Sequence, residues 1–505
     1  MTNPDILIVG AGHNGLVAAA YLAQAGRKVL VLEQRATAGG QLAGATLASG
    51  AVVPGLHPAG QLRPAIVKEL DLARHGLATS AADTAYVSAL PEGGSLRLVS
   101  NANDTSTIDA IHRLSPCDAA RWPEFVGFMN RASAFLDAAY ATTMPRLPKI
   151  ELRADGLPLA SLALKLRRMG GKDMFRVMRS LSMSAVEFTE EWFESEPLNA
   201  AIAGVAIHGV TLGSMSAGTG FTLIHNWLNR GGLAHRTVTG GPQALTDALL
   251  KAVHTNGGEV RTGADVAQIL VEHQRVLGVQ LTSGEEIRAS TVLSSADPRR
   301  TLLGLVGAPE LPPEFVWQTQ SIRMRGSVAK VFVQTDSHHG LPEGTVAIAP
   351  TLKYLERAYD STKYGELSQH PYLEVTTSGA EVAVHFQFAT YALRHGDWNS
   401  MRPELERRAI DTLGLHFPSF KGSVQSVQSV TPVDLEQSWG LTEGDLNHGQ
   451  LILDQIFFMR PLPGWSNHRT PVDGLYLCGS GMHGGGGIGG HPGRNAARML
   501  LRGHG

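Results

Sequence analysis

Three groups of residues in this 505-residue chain carry chemistry in their spacing. The first is Gly10-Ala11-Gly12-His13-Asn14-Gly15, a G-x-G-x-x-G between the apolar run Ile6–Val9 and helix formers from Leu16 to Gln24. The first glycine of such a pattern permits a tight turn, and the second lets backbone approach a pyrophosphate. The third lets helix and strand pack closely. Free N–H groups and the helix dipole then favour phosphate. Glu33 ends the next apolar run, near the spacing of roughly 20 residues expected of an acid on a ribose hydroxyl. The pattern predicts a dinucleotide site, and NAD and FAD both fit it.

The second group is Gly479-Ser480-Gly481-Met482-His483, the run Gly484–Gly487, Ile488-Gly489-Gly490, and Gly493-Arg494-Asn495. It reads as a loop nearly bare of side chains between a strand and a helix. Such a loop can lay backbone N–H groups, among them those of Gly479, Ser480, Gly487, Ile488 and Gly489, against a flat ring. The helix dipole behind it stabilises the charge a reduced flavin develops. His483 and His491 flank the glycines and titrate near neutrality, which suits acid or base work. The third group centres on Lys330, alone among apolar residues in Gly326–Val333. Burial would depress its pKa and fit it for proton transfer, whereas an outward-facing lysine would do nothing. Phe457, Phe458 and Arg460 precede the glycine block and offer walls for a substrate, or simple core packing.

Elements must hold these groups in place. Ile6–Val9, the helix and Lys28–Glu33 form one βαβ unit with short connections, and Gly26 sits where a helix C′ glycine belongs. The dinucleotide pattern resumes at 240–296 and again at 474–501, with strands expected at Glu259–Arg261, Val266–Val271, Val276–Leu281, Glu286–Ala289 and Val292–Ala296. Residues 81–234 read as helical segments and glycine-rich loops, with helices at Trp122–Tyr140 and Leu157–Met169. Residues 298–464 alternate strands such as Val328–Gln334 and Glu381–Phe388. The expected fold is α/β: a Rossmann-like dinucleotide-binding domain, which the resemblance described below implies is an FAD-binding domain of glutathione-reductase type, built from residues 1–80, 235–297 and 465–505. A mixed-sheet and helical substrate domain takes residues 81–234 and 298–464.

Composition narrows the classes. A formal net charge of -2 gives no basic footprint, so no nucleic-acid partner is expected. Cys117 and Cys478 lie far apart, which argues against a dithiol redox centre. The twenty histidines show no HxxH or HExxH spacing, so no metal is expected. The chain enters a strand pattern at Asp5 without the charged and apolar regions of a signal peptide, and no apolar run reaches the roughly 18 residues of a membrane span. A cytoplasmic protein is the expectation. Leu157–Leu181 mixes leucine and methionine with Lys165, Arg167, Arg168, Lys172, Arg176 and Arg179, so either a solvated lid or a peripheral membrane contact fits. The oligomeric state is not legible.

Glu33-Gln34-Arg35 followed by Gly39-Gly40 resembles the second motif of the glutathione-reductase-like FAD superfamily, which implies that Arg35 and the glycine pair hold the diphosphate. Gln41 stands where that family usually carries Arg or Ala. The same resemblance implies that Val266 lends its backbone to the adenine. The block from Thr470 to Ala497, with Leu56–Glu69, Thr431–Glu436 and Gly444–Gly449, resembles the phytoene desaturase-like branch of the FAD-dependent amine oxidase superfamily. Within it the match is nearest to the pyridine-nucleotide-disulfide-oxidoreductase-domain proteins. Ser480 replaces the acid many members carry there. In amine oxidases a stretch similar to that around Lys330 presents a lysine that holds water against flavin N5. The resemblance implies an FAD-dependent enzyme that takes hydride from a hydrophobic small molecule, an isoprenoid or polyene being one such class. Oxidation of a C–N bond and a catalytically idle FAD-binding interaction protein are the alternatives. No other G-x-G-x-x-G opens a second βαβ unit to mark a nicotinamide domain, so oxygen, a quinone or a carrier is the expected electron acceptor.

Overall fold

A computed structural model describes residues 4–57, 60–79, 84–145, 152–336 and 338–503. The segment boundary read near residue 80 falls outside the described residues. Ile6–Val9 forms the central strand of a five-stranded, wholly parallel sheet. In spatial order the strands are Leu475–Leu477, Val292–Ser294, Ile6–Val9, Val29–Leu32 and Glu259–Arg261. Three distant stretches of chain therefore build one sheet.

Side-chain alternation explains why Ile6–Val9 is apolar throughout. Ile6 and Ile8 pack into a core with the helices His13–Gln24, Gly241–Thr255 and His491–Gly503, while Leu7 and Val9 face the opposite layer. That layer is a three-stranded antiparallel sheet of Val266–Glu272, Arg275–Leu281 and Glu286–Arg288. The fold class is the expected one: α/β, with a Rossmann-like part built from three stretches of chain and a second, mixed part.

The second part is a seven-stranded mixed sheet in the order Val424–Val430, Val328–Thr335, Glu381–Gln387, Leu373–Ser378, Thr345–Ile348, Tyr86–Ala89 and Ser95–Leu98. The last two correct the reading of residues 81–234 as helices and loops. Tyr86–Ala89 is only four residues long and pairs in parallel with Thr345–Ile348, so its partner lies far beyond any local pattern. The other described residues of the block are mainly helical, from Thr105–His112 through the long Pro116–Tyr140 to Thr219–Arg230. Ser115 caps the long helix by accepting the Asp118 N–H at 3.1 Å, which sets its start ahead of the expected Trp122. Ala329, Val331 and Val333 face one core, which turns Lys330 toward the other side of the sheet.

No helix among the described residues is long and apolar enough to cross a membrane. In the basic stretch, Lys172 and Arg176 pair with Glu124, and Arg179 pairs with Glu191. Three of its six positive charges are thus already matched on the protein, while Leu157, Phe175 and Met178 stay exposed.

Candidate active site

A cleft opens over the carboxyl ends of the parallel strands, where ligands bind in open α/β sheets. It holds about 860 Å³ of empty space, counting solvent at its mouth. Gly10, Gly12, His13, Asn14, Glu33, Gln34, Arg35, Gly40, Gln41, Val266 and Ser480 line it. Gly15, Gly39, Gly479, Gly487, Ile488 and Gly489 do not.

The glycines test whether a ligand belongs there. A Cβ on Gly15 would stand 2.2 Å from the Gly10 carbonyl oxygen, and one on Gly10 2.5 Å from Ser295 Oγ, so the chain itself requires both. Gly12 is different: its φ is -68° and the nearest atom to a Cβ is 3.9 Å away, at Gly40. Nothing in the protein forbids a side chain at Gly12; a pyrophosphate drawn against the backbone would. Buried Nε2 of His13 and Oδ1 of Asn14 also lack hydrogen-bond partners, as an incoming ligand requires. The cradle fits FAD.

Glu33 does more than await a ribose. Its Oε2 accepts the Ala11 N–H at 2.8 Å and its Oε1 the Arg35 N–H at 3.0 Å, so it pins the glycine turn to the second strand. Arg35 donates to the carbonyls of Gly40 at 2.6 Å and Gly44 at 3.1 Å, and its guanidinium lies over the Trp439 ring. Gly39 bridges to Gly12 and donates its N–H to the Ala11 carbonyl at 2.9 Å, which sets Gly40 against the cradle. Gln34 accepts from Arg300 at 3.2 Å. Ser295, Arg300, Trp439 and His448 line the cleft too and escaped the sequence reading. Only Ser295 had a legible signal, its place at the end of the Val292–Ser294 strand.

The glycine block is packed rather than open. Ile488 is 1% exposed in the core of the dinucleotide-binding part, and Gly487, at φ +73°, abuts Asn229. A Cβ on Gly479 would meet the Ser295 carbonyl at 2.4 Å, whereas one on Gly489 would find ordinary contacts. His483 donates from Nε2 to the Ala139 carbonyl at 2.9 Å and buries a bare Nδ1; burial lowers its pKa to about 4. His491 opens the last helix with Nε2 3.1 Å from Asp137, and burial again lowers its pKa against the pull of the carboxylate. Phe457 packs on Tyr140 and Phe221, while Phe458 is 46% exposed. Arg460 is buried and donates to the backbone carbonyls of Asn447, Gly449 and Ser480, which ties its guanidinium to the loops beside the cleft.

Lys330 is inside. Its Nζ lies 3.0 Å from His385 Nδ1, and burial lowers its pKa to about 8. The fold gathers His57, His208, His235 and Glu374 around it, none of which stands out by sequence spacing. His57 donates to Gln41 Oε1 at 2.6 Å, because the Gln41 amide nitrogen is spent on the Leu446 carbonyl. Gln41 therefore joins this polar chamber to the cofactor cleft.

The family model described as flavin containing amine oxidoreductase matches residues 15–388. Pyridine nucleotide-disulfide oxidoreductase domain-containing protein 2 of Mus musculus is 32% identical, covering 99% of this chain and 93% of its own. One of the limonene dehydrogenase chains of Castellaniella defragrans is 24% identical over 99% and 94% of the two chains. A lycopene-forming phytoene desaturase of Pantoea ananas is 24% identical over 95% of each. Among solved structures, a putrescine oxidase bound to putrescine superposes with a TM-score of 0.57 at 17% identity, over 99% and 98% of the chains.

Proposed function

The chain belongs to the flavin containing amine oxidoreductase family, and from that premise we propose that it is a dehydrogenase of a C–H bond in a hydrophobic small molecule. FAD is its cofactor. Bound FAD supplies the acceptor for the substrate hydride. The residues of the chain supply orientation and dryness. The observation that carries this reading is the junction at Gln41, which lines the cofactor cleft and accepts from His57 of the chamber that encloses Lys330. Lys330 Nζ holds the substrate beside that cleft, and His385 Nδ1 keeps the ammonium aimed. Phe457, Tyr140 and Phe221 form an apolar wall beside the glycine block. Their rings exclude water from the reacting carbon. Oxygen, a quinone or a carrier takes the electrons.

Oxidation of a C–N bond is the second reading, favoured by the buried Lys330. Charge argues against it: the chamber carboxylate, Glu374, is already matched by Arg230 at 3.0 Å, which leaves a cationic amine no partner there. The two readings separate in one assay. Holoenzyme is mixed anaerobically with terpenes, polyenes, alcohols and amines, and bleaching of the flavin is followed. Bleaching by a hydrocarbon or alcohol supports the dehydrogenase. Bleaching by amines alone, with Lys330→Met slowing turnover by orders of magnitude, supports the amine oxidase. No bleaching by any compound leaves a catalytically idle FAD-binding protein.

A further inference from the structure

The chamber behind Gln41 is organised around a single unpaired charge. Glu374 is its charged hub: Oε2 accepts from Arg230 Nη2 at 3.0 Å and from the Tyr372 hydroxyl at 2.7 Å, and His235 Nε2 stands 2.6 Å from Oε1. Arg230 and Glu374 cancel one another. Gln61 donates to His235 Nδ1 at 3.1 Å, so the ring proton of His235 lies on Nε2, toward the carboxylate. A second chain of hydrogen bonds fixes His385. Gln387 gives its amide nitrogen to the Val210 carbonyl, and its oxygen accepts the Gly209 N–H at 2.8 Å and His385 Nε2–H at 2.8 Å. The bare Nδ1 of His385 is thereby turned on Lys330. An imidazole lone pair orients an ammonium without cancelling its charge.

Burial holds His57, His208, His235 and His385 neutral. Lys330 is then the unbalanced charge of the cluster. Solvent still reaches the cluster: Lys330 keeps 7% of its surface accessible and the His208 side chain 13%. Arg230 Nε, a donor, is buried there without an acceptor. His208, His235 and Glu374 do place three ligand atoms within 4.8 Å of one another, the composition of a two-histidine, one-carboxylate metal site. A divalent cation would add two positive charges to a cluster that already carries a surplus of one, at a carboxylate Arg230 already holds. The surplus calls for an anion.

We propose that the chamber seats an anionic oxygen group of the substrate, a carboxylate placed on Lys330 between His57 and His208. This rests on the dehydrogenase reading and narrows its substrates from hydrophobic molecules to hydrophobic acids. The carboxylate would lie beside the cofactor cleft, since His57 hydrogen-bonds Gln41 of its lining. The apolar remainder would run along the Phe457 and Tyr140 wall.

The test is equilibrium binding to the FAD-loaded protein, read by calorimetry and by perturbation of the flavin spectrum. The probes are straight-chain fatty acids and the primary alcohols of equal length. The acid binds more tightly than the alcohol, and Lys330→Met weakens the acid by about tenfold to a hundredfold and the alcohol by much less. Lys330→Arg, which keeps the charge, retains most of the preference for acid. Equal binding of acid and alcohol, or a Lys330→Met protein with undiminished affinity for acid, overturns the proposal. So does stoichiometric metal in the purified holoenzyme. A full visible flavin spectrum in each variant certifies its fold. Because binding is measured without turnover, acids that bind but never bleach the flavin would sink the dehydrogenase reading alone. A neutral hydrocarbon that bleaches it while acids fail to bind would sink this proposal alone.

Discussion

The side-chain amide of Asn14 donates a 3.0 Å hydrogen bond to the hydroxyl of Ser480, joining residues 466 positions apart. Both line the cofactor cleft. One stands at the start of the first helix and the other at the mouth of the glycine block, so the bond closes the two chain ends over one site.

Removing that bond should loosen FAD more than it unfolds the protein. Asn14→Ala and Ser480→Ala are each expected to weaken FAD about five- to tenfold, the loss of one buried neutral hydrogen bond. The double variant should cost no more than the worse single one, because the residues act as a pair. Fluorescence titration of apoprotein with FAD measures all three; additive losses would show that the residues act independently.

Gly12 and Gly15 should fail in opposite ways. Gly12→Ala finds 3.9 Å of clearance and a permitted backbone, so the apoprotein should melt within a few degrees of wild type. Its methyl group would fill the cradle, and FAD affinity should fall at least about tenfold. Gly15→Ala drives a Cβ to 2.2 Å from the Gly10 carbonyl and should lower the melting temperature of the apoprotein itself. Apoprotein melts alongside FAD titrations separate the two. A Gly12→Ala protein with full affinity would remove the pyrophosphate from this turn.

Stability should fall steeply as pH drops below 6.5. His235, His468 and His483 are buried, and burial lowers each pKa to about 4. Between pH 6.5 and about 4 the unfolded chain binds protons that the folded chain refuses, so stability rises with pH there and is lost on acidification. Each such histidine contributes up to about 1.4 kcal/mol per pH unit. Asp445 opposes them, because burial raises its carboxyl to about 6 and favours the folded state as pH falls through that window. One carboxyl does not offset three imidazoles. Denaturant melts at pH 7, 6 and 5 should show the midpoint dropping; a flat profile would mean these rings are hydrated.

The sequence carried the cofactor half of the site well, because its logic is local. Ile6–Val9, the glycine turn and Glu33 fall within one βαβ unit, and each residue type there answers to backbone geometry. Val266 had to be placed by resemblance and does line the cleft. The chamber was invisible for the converse reason. His57, His208, His235, Glu374 and His385 come from five separate elements, and a lone histidine at each carries no periodic mark. Lys330 alone hinted at it, as the one charge in an apolar strand. Tyr86–Ala89 was lost because a four-residue buried strand is indistinguishable from a turn of buried helix.

Arg460 reads from the sequence as a wall of the substrate site, and its surroundings predict a different phenotype. The guanidinium donates to carbonyls of Asn447, Gly449 and Ser480, and burial lowers its pKa to about 10. Those carbonyls belong to the loop that carries His448 to the cleft and to the residue that meets Asn14. Arg460→Lys keeps the charge but has no planar fork to serve diverging acceptors, so two carbonyls are left buried and unpaired. The cost should be about 2–4 kcal/mol, a drop of several degrees in melting temperature, together with weaker FAD binding. The fraction of variant that retains FAD should turn over with an unchanged KM, since the side chain supports the cleft and not the substrate. A raised KM in an FAD-saturated variant of normal stability would return Arg460 to the substrate wall.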